Sequence, residues 1–424
     1  MSDEPSQAAS ARLLPSSGLA APSWHKIAWV IGPGIVVMLA DTDAGNVVTA
    51  AQAGARWRYR LLPLVLALIP MLYMLQELTV RLGIFTGRGH GELIRERFGR
   101  GWAWLSVTGL AIATIGSLVT EFSAVAGIGE LYGQSRGLTL AAAAAVLLAV
   151  VITGSYRRVE RIAIVIGLFE CAFFAVAWIA RPNPQTLVGD AIRLPFGNPD
   201  FLYLVAAVIG ATFNPWMVFY QQSAIADKRL RPQDYKVARW DTAAGAVLTQ
   251  LLTGAVLVAA AASLGAADVQ ASLGSVGEIS KALSPVLGEG AGQLVFSMGV
   301  LGAAMVAAIV SSLALAWGAG EVAGYRRSLE YRPLDAGWFY GAYAACVIGA
   351  AALVFSVRDL IWLNIGAQVL NVFLLPLVIG FLVVLAMNAL PEPLRPRGWY
   401  LSGLIAISAA VSVLGLVGGI SALP

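Results

Sequence analysis

Eleven apolar runs, each about the 20 residues or more that a helix needs to cross a bilayer, dominate this chain. They fall at roughly 27–54, 61–80, 103–131, 138–155, 161–180, 200–226, 241–264, 293–318, 337–356, 360–388 and 400–422. In lipid, backbone N–H and C=O groups must be satisfied without water, so such runs predict helices. Only 12% of the 424 residues are charged against 58% hydrophobic, where soluble domains carry about 25% charge. The fold class read from this is an all-α integral membrane protein with short loops. Residues 1–23, rich in Ser, Ala and Pro, read as a disordered cytoplasmic tail and not a signal peptide. Residues 24–424 read as a single transmembrane domain.

The basic residues set an orientation. With the N-terminus inside, 20 of the 28 Lys and Arg residues fall in cytoplasmic segments, so eleven spans place the C-terminus outside. Arg56-Trp57-Arg58-Tyr59-Arg60 is the exception, a basic cluster on the external face. The net charge of +4 gives no reason to expect nucleic-acid binding. Short loops without targeting or glycosylation features point to a bacterial inner membrane; the oligomeric state is not legible, and a monomer is compatible. Cys171 and Cys346 each lie in an apolar run and read as buried free thiols.

Within the first run, Ala40-Asp41-Thr42-Asp43-Ala44-Gly45-Asn46 puts two carboxylates and an amide where hydrocarbon is expected. A charge at bilayer depth costs several kcal/mol, about 2.5–3.5 on insertion scales, and marks function by default. Thr42, Gly45 and the nearby Gly32-Pro33-Gly34 predict a broken helix, and a break frees backbone carbonyls beside the acids. The sixth run has a counterpart, Ala211-Thr212-Phe213-Asn214-Pro215-Trp216, where Pro215 deprives the Ala211 carbonyl of its helical partner. Two broken helices at matching places in two five-span halves predict inverted repeats, at about 27–180 and 200–388, with an extra helix at about 400–422. Paired breaks of this kind point to a transport site.

These residues resemble the NRAMP family of divalent-metal transporters. Its first-span motif Asp-Pro-Gly-Asn reads here Asp43-Ala44-Gly45-Asn46, and Arg81-Leu82-Gly83-Ile84-Phe85-Thr86-Gly87-Arg88 is similar to its loop after the second span. The resemblance implies two inverted five-helix repeats of the amino-acid/polyamine/organocation type plus one helix. The sixth-span motif departs from the family: Met-Pro-His becomes Asn214-Pro215-Trp216, and the next family His falls on Gln221. The third-span Asp falls on Leu118, while its Glu partner matches Glu121. This pattern is similar to the NRAMP-related magnesium transporters. The chain has two His residues, His25 and His90, neither in a span, so no histidine proton relay crosses the membrane.

The candidate metal ligands are Asp43, Asn46, the carbonyls of Ala40 and Ala211, Asn214, Gln368 and Asn371. Gln368 sits eight residues before Pro376, the interval the family uses; an interhelical hydrogen bond is its other reading. Asp41 either lines the approach path or pairs with a polar neighbour. Glu121 is a second acid near the pathway or a protonated, hydrogen-bonded carboxyl, and Trp216 and Gln221 are further pathway candidates. Glu170 reads as structural, and Glu77 with Arg81 as an ion pair four residues apart. All these ligands are oxygens and few are anionic, a set suited to a partly hydrated Mg2+. The expected function is therefore Mg2+ transport, with Mn2+ as co-substrate, by alternating access and without the family's proton coupling. No cofactor and no enzymatic motif is expected. The competing readings are a proton-coupled Mn2+ or transition-metal transporter, a sodium-coupled organic-solute carrier, and a Mg2+ sensor.

Overall fold

The computed structural model describes residues 29–264, 276–280, 290–357 and 361–421; the tail expected at 1–23, and His25, lie outside them. Pro33 opens helix α1 (Pro33–Asp41), where its missing N–H would be unpaired in any residue. Gly32, just before it, has φ 148°, and a Cβ there would fall 2.0 Å from the Glu160 carboxylate. Trp29 and Val30 are helical before it, so Gly32-Pro33-Gly34 interrupts the helix as the sequence predicts, and α1 starts afresh at Pro33. A second break follows: α1 ends at Asp41 and α2 (Ala44–Trp57) begins after Thr42 and Asp43.

The chain continues through α3 (Leu62–Thr86), a short α4 (His90–Phe98), α5 (Arg100–Leu131) and α6 (Arg136–Ile152). The fifth element is α7 (Tyr156–Gly167), a 3-10 turn at Leu168–Cys171, and α8 (Ala172–Ile179). After a short α9 (Pro184–Ala191), the sixth element is split as Pro215 requires, into α10 (Pro199–Thr212) and α11 (Pro215–Asp227). Then follow α12 (Tyr235–Leu264), α13 (Ala291–Ala323), α14 (Gly337–Ser356), α15 (Ile361–Ala389) and α16 (Gly398–Ser421). Among the described residues, nine helical stretches are long and apolar enough to cross a membrane. Two of the eleven expected spans fall outside that set. The first is divided into two short helices, and α6 is a shorter apolar helix.

The split elements lie inside the bundle. α12 packs along α1, α2 and α3, and α13 packs against α5, α11 and α1. Small residues permit close approach, as in membrane bundles generally. At Gly54 a Cβ would lie 2.2 Å from the Leu257 carbonyl, and at Gly210 one would lie 1.9 Å from the Gln368 carbonyl. Cys171, expected to be buried, is exposed, and Cys346 is half-buried. A span in an outer position turns one side to lipid, so an apolar neighbourhood in sequence does not imply cover by protein.

Polar ties fix one end of the bundle. The Asp241 carboxylate accepts from the amides of Gly32 (3.1 Å), Gly34 (2.8 Å) and Ile35 (3.3 Å), holding the start of α1. Lys228, at the end of α11, donates to both Glu160 oxygens (2.7 and 2.9 Å) and to the Ile31 carbonyl (3.2 Å). Glu77 and Arg81 pair at 2.7 Å as expected. Glu77 also accepts from Tyr400 (2.8 Å) and Tyr235, tying α3 to α12 and α16.

Candidate functional site

Both breaks expose backbone that a continuous helix would consume. The Ala44 N–H, which would otherwise bond the Ala40 carbonyl, donates to Glu121 Oε2 at 3.1 Å, so Ala40 loses its helical partner. Asp43 caps α2, with Oδ1 accepting from the Asn46 amide at 2.7 Å, the usual arrangement for an Asp at a helix start. Its other oxygen, Oδ2, has no hydrogen-bond partner although the residue is fully buried. The Asn46 side chain donates to the Asp41 carbonyl (3.0 Å). In the sixth element, the Ala211 carbonyl freed by Pro215 is taken by the Asn214 side-chain amide at 3.1 Å.

The tenth element closes the gap between the breaks. Gln368 lies against Gly45, where a Cβ would fall 2.0 Å from its Nε2 and 3.3 Å from Asp43 Oδ1. Asn371 donates to Asn214 Oδ1 (2.5 Å) and to Gln368 Oε1 (3.3 Å), leaving its own Oδ1 unpaired. Asp43, Asn46, Asn214, Gln368 and Asn371 are all buried. The structure therefore brings together side chains from three elements far apart in sequence.

The remaining expected residues divide. Asp41 does not point away from the site. It interacts with the Asn214 amide and accepts from Thr249 at 3.5 Å, while Thr42 and Thr249 share a 2.8 Å hydrogen bond. Glu121, on α5, brings its carboxylate to the start of α2, with Oε1 unpaired. Trp216 is fully buried with its indole N–H unpaired. Gln221 is engaged elsewhere, accepting from Thr79 (3.0 Å) and donating to Thr242 (2.8 Å).

Sequence reasoning understated Glu170. It is fully buried in the 3-10 turn, where it meets the Thr42 side chain and lies close enough to Asp41, Asp43 and Glu121 to feel their charge. An acid inside an apolar run, part of the signal that picked out Asp43, is present at Glu170 as well. A cavity of about 20 Å3, room for one water, adjoins Asn214 and is lined also by Gln76, Met217 and Leu375. Among the described residues, no three His, Cys, Asp or Glu side chains converge as a metal-binding group. An ion here would meet amide oxygens, backbone carbonyls and one or two carboxylates.

Two interrupted helices beside a buried polar cluster, in a membrane bundle that is helical throughout the described residues, are the architecture of a membrane transporter. Among solved structures, a manganese transporter of Eremococcus coleocola superposes with a TM-score of 0.77, covering 95% of this chain and 88% of its own at 17% identity. A Na+-coupled sialic acid symporter superposes at 0.62, covering 93% and 87% at 12% identity; at such identities the likeness is one of fold. The chain belongs to the Nramp family, matching the description "Natural resistance-associated macrophage protein-like" over residues 34–421. Relatives named divalent metal cation transporter MntH include one from Chromohalobacter salexigens, 29% identical over 66% of this chain and 68% of its own. Another, from Aeromonas hydrophila, is 30% identical over 69% and 72%. Family membership makes this chain a membrane transporter and not an enzyme.

Proposed function

We propose that this protein carries divalent metal cations by alternating access, with Mg2+ as the principal substrate and Mn2+ as co-substrate. The observation that carries this reading is the donor set between the breaks: Asp43, Asn46, Asn214, Gln368 and Asn371 supply only hard oxygens. Hard oxygen donors suit Mg2+ and Mn2+ and leave softer transition metals without preference. Mg2+ sheds water reluctantly and binds few carboxylates, and the room for a water beside Asn214 accords with a partly hydrated ion. The carbonyls of Ala40 and Ala211 are further ligands once Asn214 turns toward the ion. Asp41 and Glu121 flank the pathway. With no histidine in the spans, the ion moves without a histidine proton relay. The basic-residue asymmetry supports a cytoplasmic N-terminus and an external C-terminus in a bacterial inner membrane.

The test is uptake into proteoliposomes holding an impermeant Mg2+ indicator and, in parallel, a pH dye. Mg2+ uptake without lumenal acidification, lost in Asp43→Ala, is expected. Uptake of Mn2+ alone, with acidification, overturns the reading. One observation favours that second reading, since the Met217 side chain lines the cavity beside Asn214 and a thioether prefers softer ions. Met217→Leu lowering Mn2+ but not Mg2+ transport would support it.

A further inference from the structure

Near one end of the bundle, α4, α5 and α15 enclose an apolar groove of about 380 Å3, lined by Phe98, Trp102, Pro376, Gly380, Phe381 and Val384 among others. Its walls are aromatic. The Phe381 ring centroid lies 5.6 Å from Phe98 and 5.8 Å from Trp102. Gly380 leaves part of the groove open, since a Cβ added there would meet nothing within 4 Å, and Pro376 lies in the same wall, inside α15. Trp102 and Phe381 lie in membrane-crossing helices, so the groove opens toward lipid. The groove has room for part of an acyl chain.

The rim is basic. Arg97 directly precedes Phe98, and Arg100 opens α5 two residues before Trp102. Both are exposed, and neither is in the ion pairs found among the described residues. Arg100 also stands at the N-terminus of a 32-residue helix, where the backbone dipole favours an anion. Glu96, the nearest acid in sequence, is engaged by Arg88. Free guanidiniums beside an apolar slot in the membrane match the two parts of an acidic phospholipid.

We propose that this groove is a binding site for one anionic phospholipid, with an acyl chain against Phe98, Trp102 and Phe381 and the headgroup phosphate on Arg97 and Arg100. By the orientation read from the basic residues, the lipid belongs to the cytoplasmic leaflet. Its chain lies against the Pro376–Val384 part of α15, the helix that carries Gln368 and Asn371.

The full-length protein in detergent is titrated with phosphatidylglycerol and, separately, with phosphatidylcholine of the same acyl chains, and retained lipids are counted by native mass spectrometry. Wild type is expected to retain one phosphatidylglycerol at a concentration several-fold below that needed for phosphatidylcholine. Gly380→Phe, which fills the groove from an exposed position, is expected to lose that lipid. Arg97→Gln with Arg100→Gln, both at the surface, is expected to retain the two lipids alike. Equal retention of both lipids by wild type overturns the proposal. So does a Gly380→Phe variant, or the double arginine variant, that still prefers phosphatidylglycerol as wild type does.

Discussion

Acid should unlock the contact between α4 and α11 through His90. Its ring is buried (1% exposed), with Nδ1 3.0 Å from Gln222 Oε1 and the ring edge-on to Phe219. The Gln222 amide N–H is committed to the Arg88 carbonyl at 3.0 Å, so Gln222 Oε1 must accept and His90 carries its proton on Nδ1. A second proton would go to Nε2, which is buried without a partner. Burial accordingly pushes the imidazole down from 6.5 to about 4, with the Gln222 bond opposing in part. The unfolded chain therefore takes up the proton first. Stability from the neutral ring is complete above pH 6.5 and is lost as pH falls toward 4. Linkage gives a loss of about 2 kcal/mol at pH 5 and about 3 kcal/mol below pH 4. His90→Asn keeps a donor near the Nδ1 position and cannot take the second proton. Unfolding in detergent, followed by tryptophan fluorescence at pH 7.5 and pH 5, should show wild type losing about 2 kcal/mol more than the variant. Equal losses would refute the argument.

Lys228→Met should destabilise the protein by about 3–5 kcal/mol, because Glu160 is left buried and unpaired. Adding Glu160→Gln should recover most of that loss, and thermal unfolding of the single and double variants checks it. Gly210→Ala places a methyl 1.9 Å from the Gln368 carbonyl, so α15 must move away from the sixth-element break. Mg2+ affinity measured by calorimetry should fall at least tenfold (about 1.4 kcal/mol), whereas Gly189→Ala, with open space around it, should leave it unchanged. Asn214→Met should shift uptake competition toward Mn2+ and Cd2+; an unaltered selectivity profile would remove Asn214 from the ligand set.

The sequence alone determined that the chain is helical and crosses a membrane, because apolar runs of this length have no other use for their backbone polar groups. It also located both breaks. Pro215 cannot donate to Ala211, and Thr42 and Gly45 beside two buried acids make a poor continuous helix, so each interruption is a local property of a few residues. Local reasoning did not reach distant partners. Gly32-Pro33-Gly34 reads as a breaker and does interrupt the helix, but the Asp241 carboxylate that takes the amides of Gly32 and Gly34 comes from a distant element. Cys171 reads as buried until the bundle shows which side of its helix meets lipid.

Only the tertiary structure decided what the breaks face. The interval to Pro376 nominated Gln368 but left an interhelical hydrogen bond as its other reading; that it reaches Gly45 depends on Gly45 and Gly210 both lacking a side chain where α15 passes. The same holds for Asp41 and Glu170. Sequence periodicity sets the direction of a side chain on its own helix, but both residues stand at interruptions where that periodicity lapses, and their surroundings are set by the packing of distant elements around the gap.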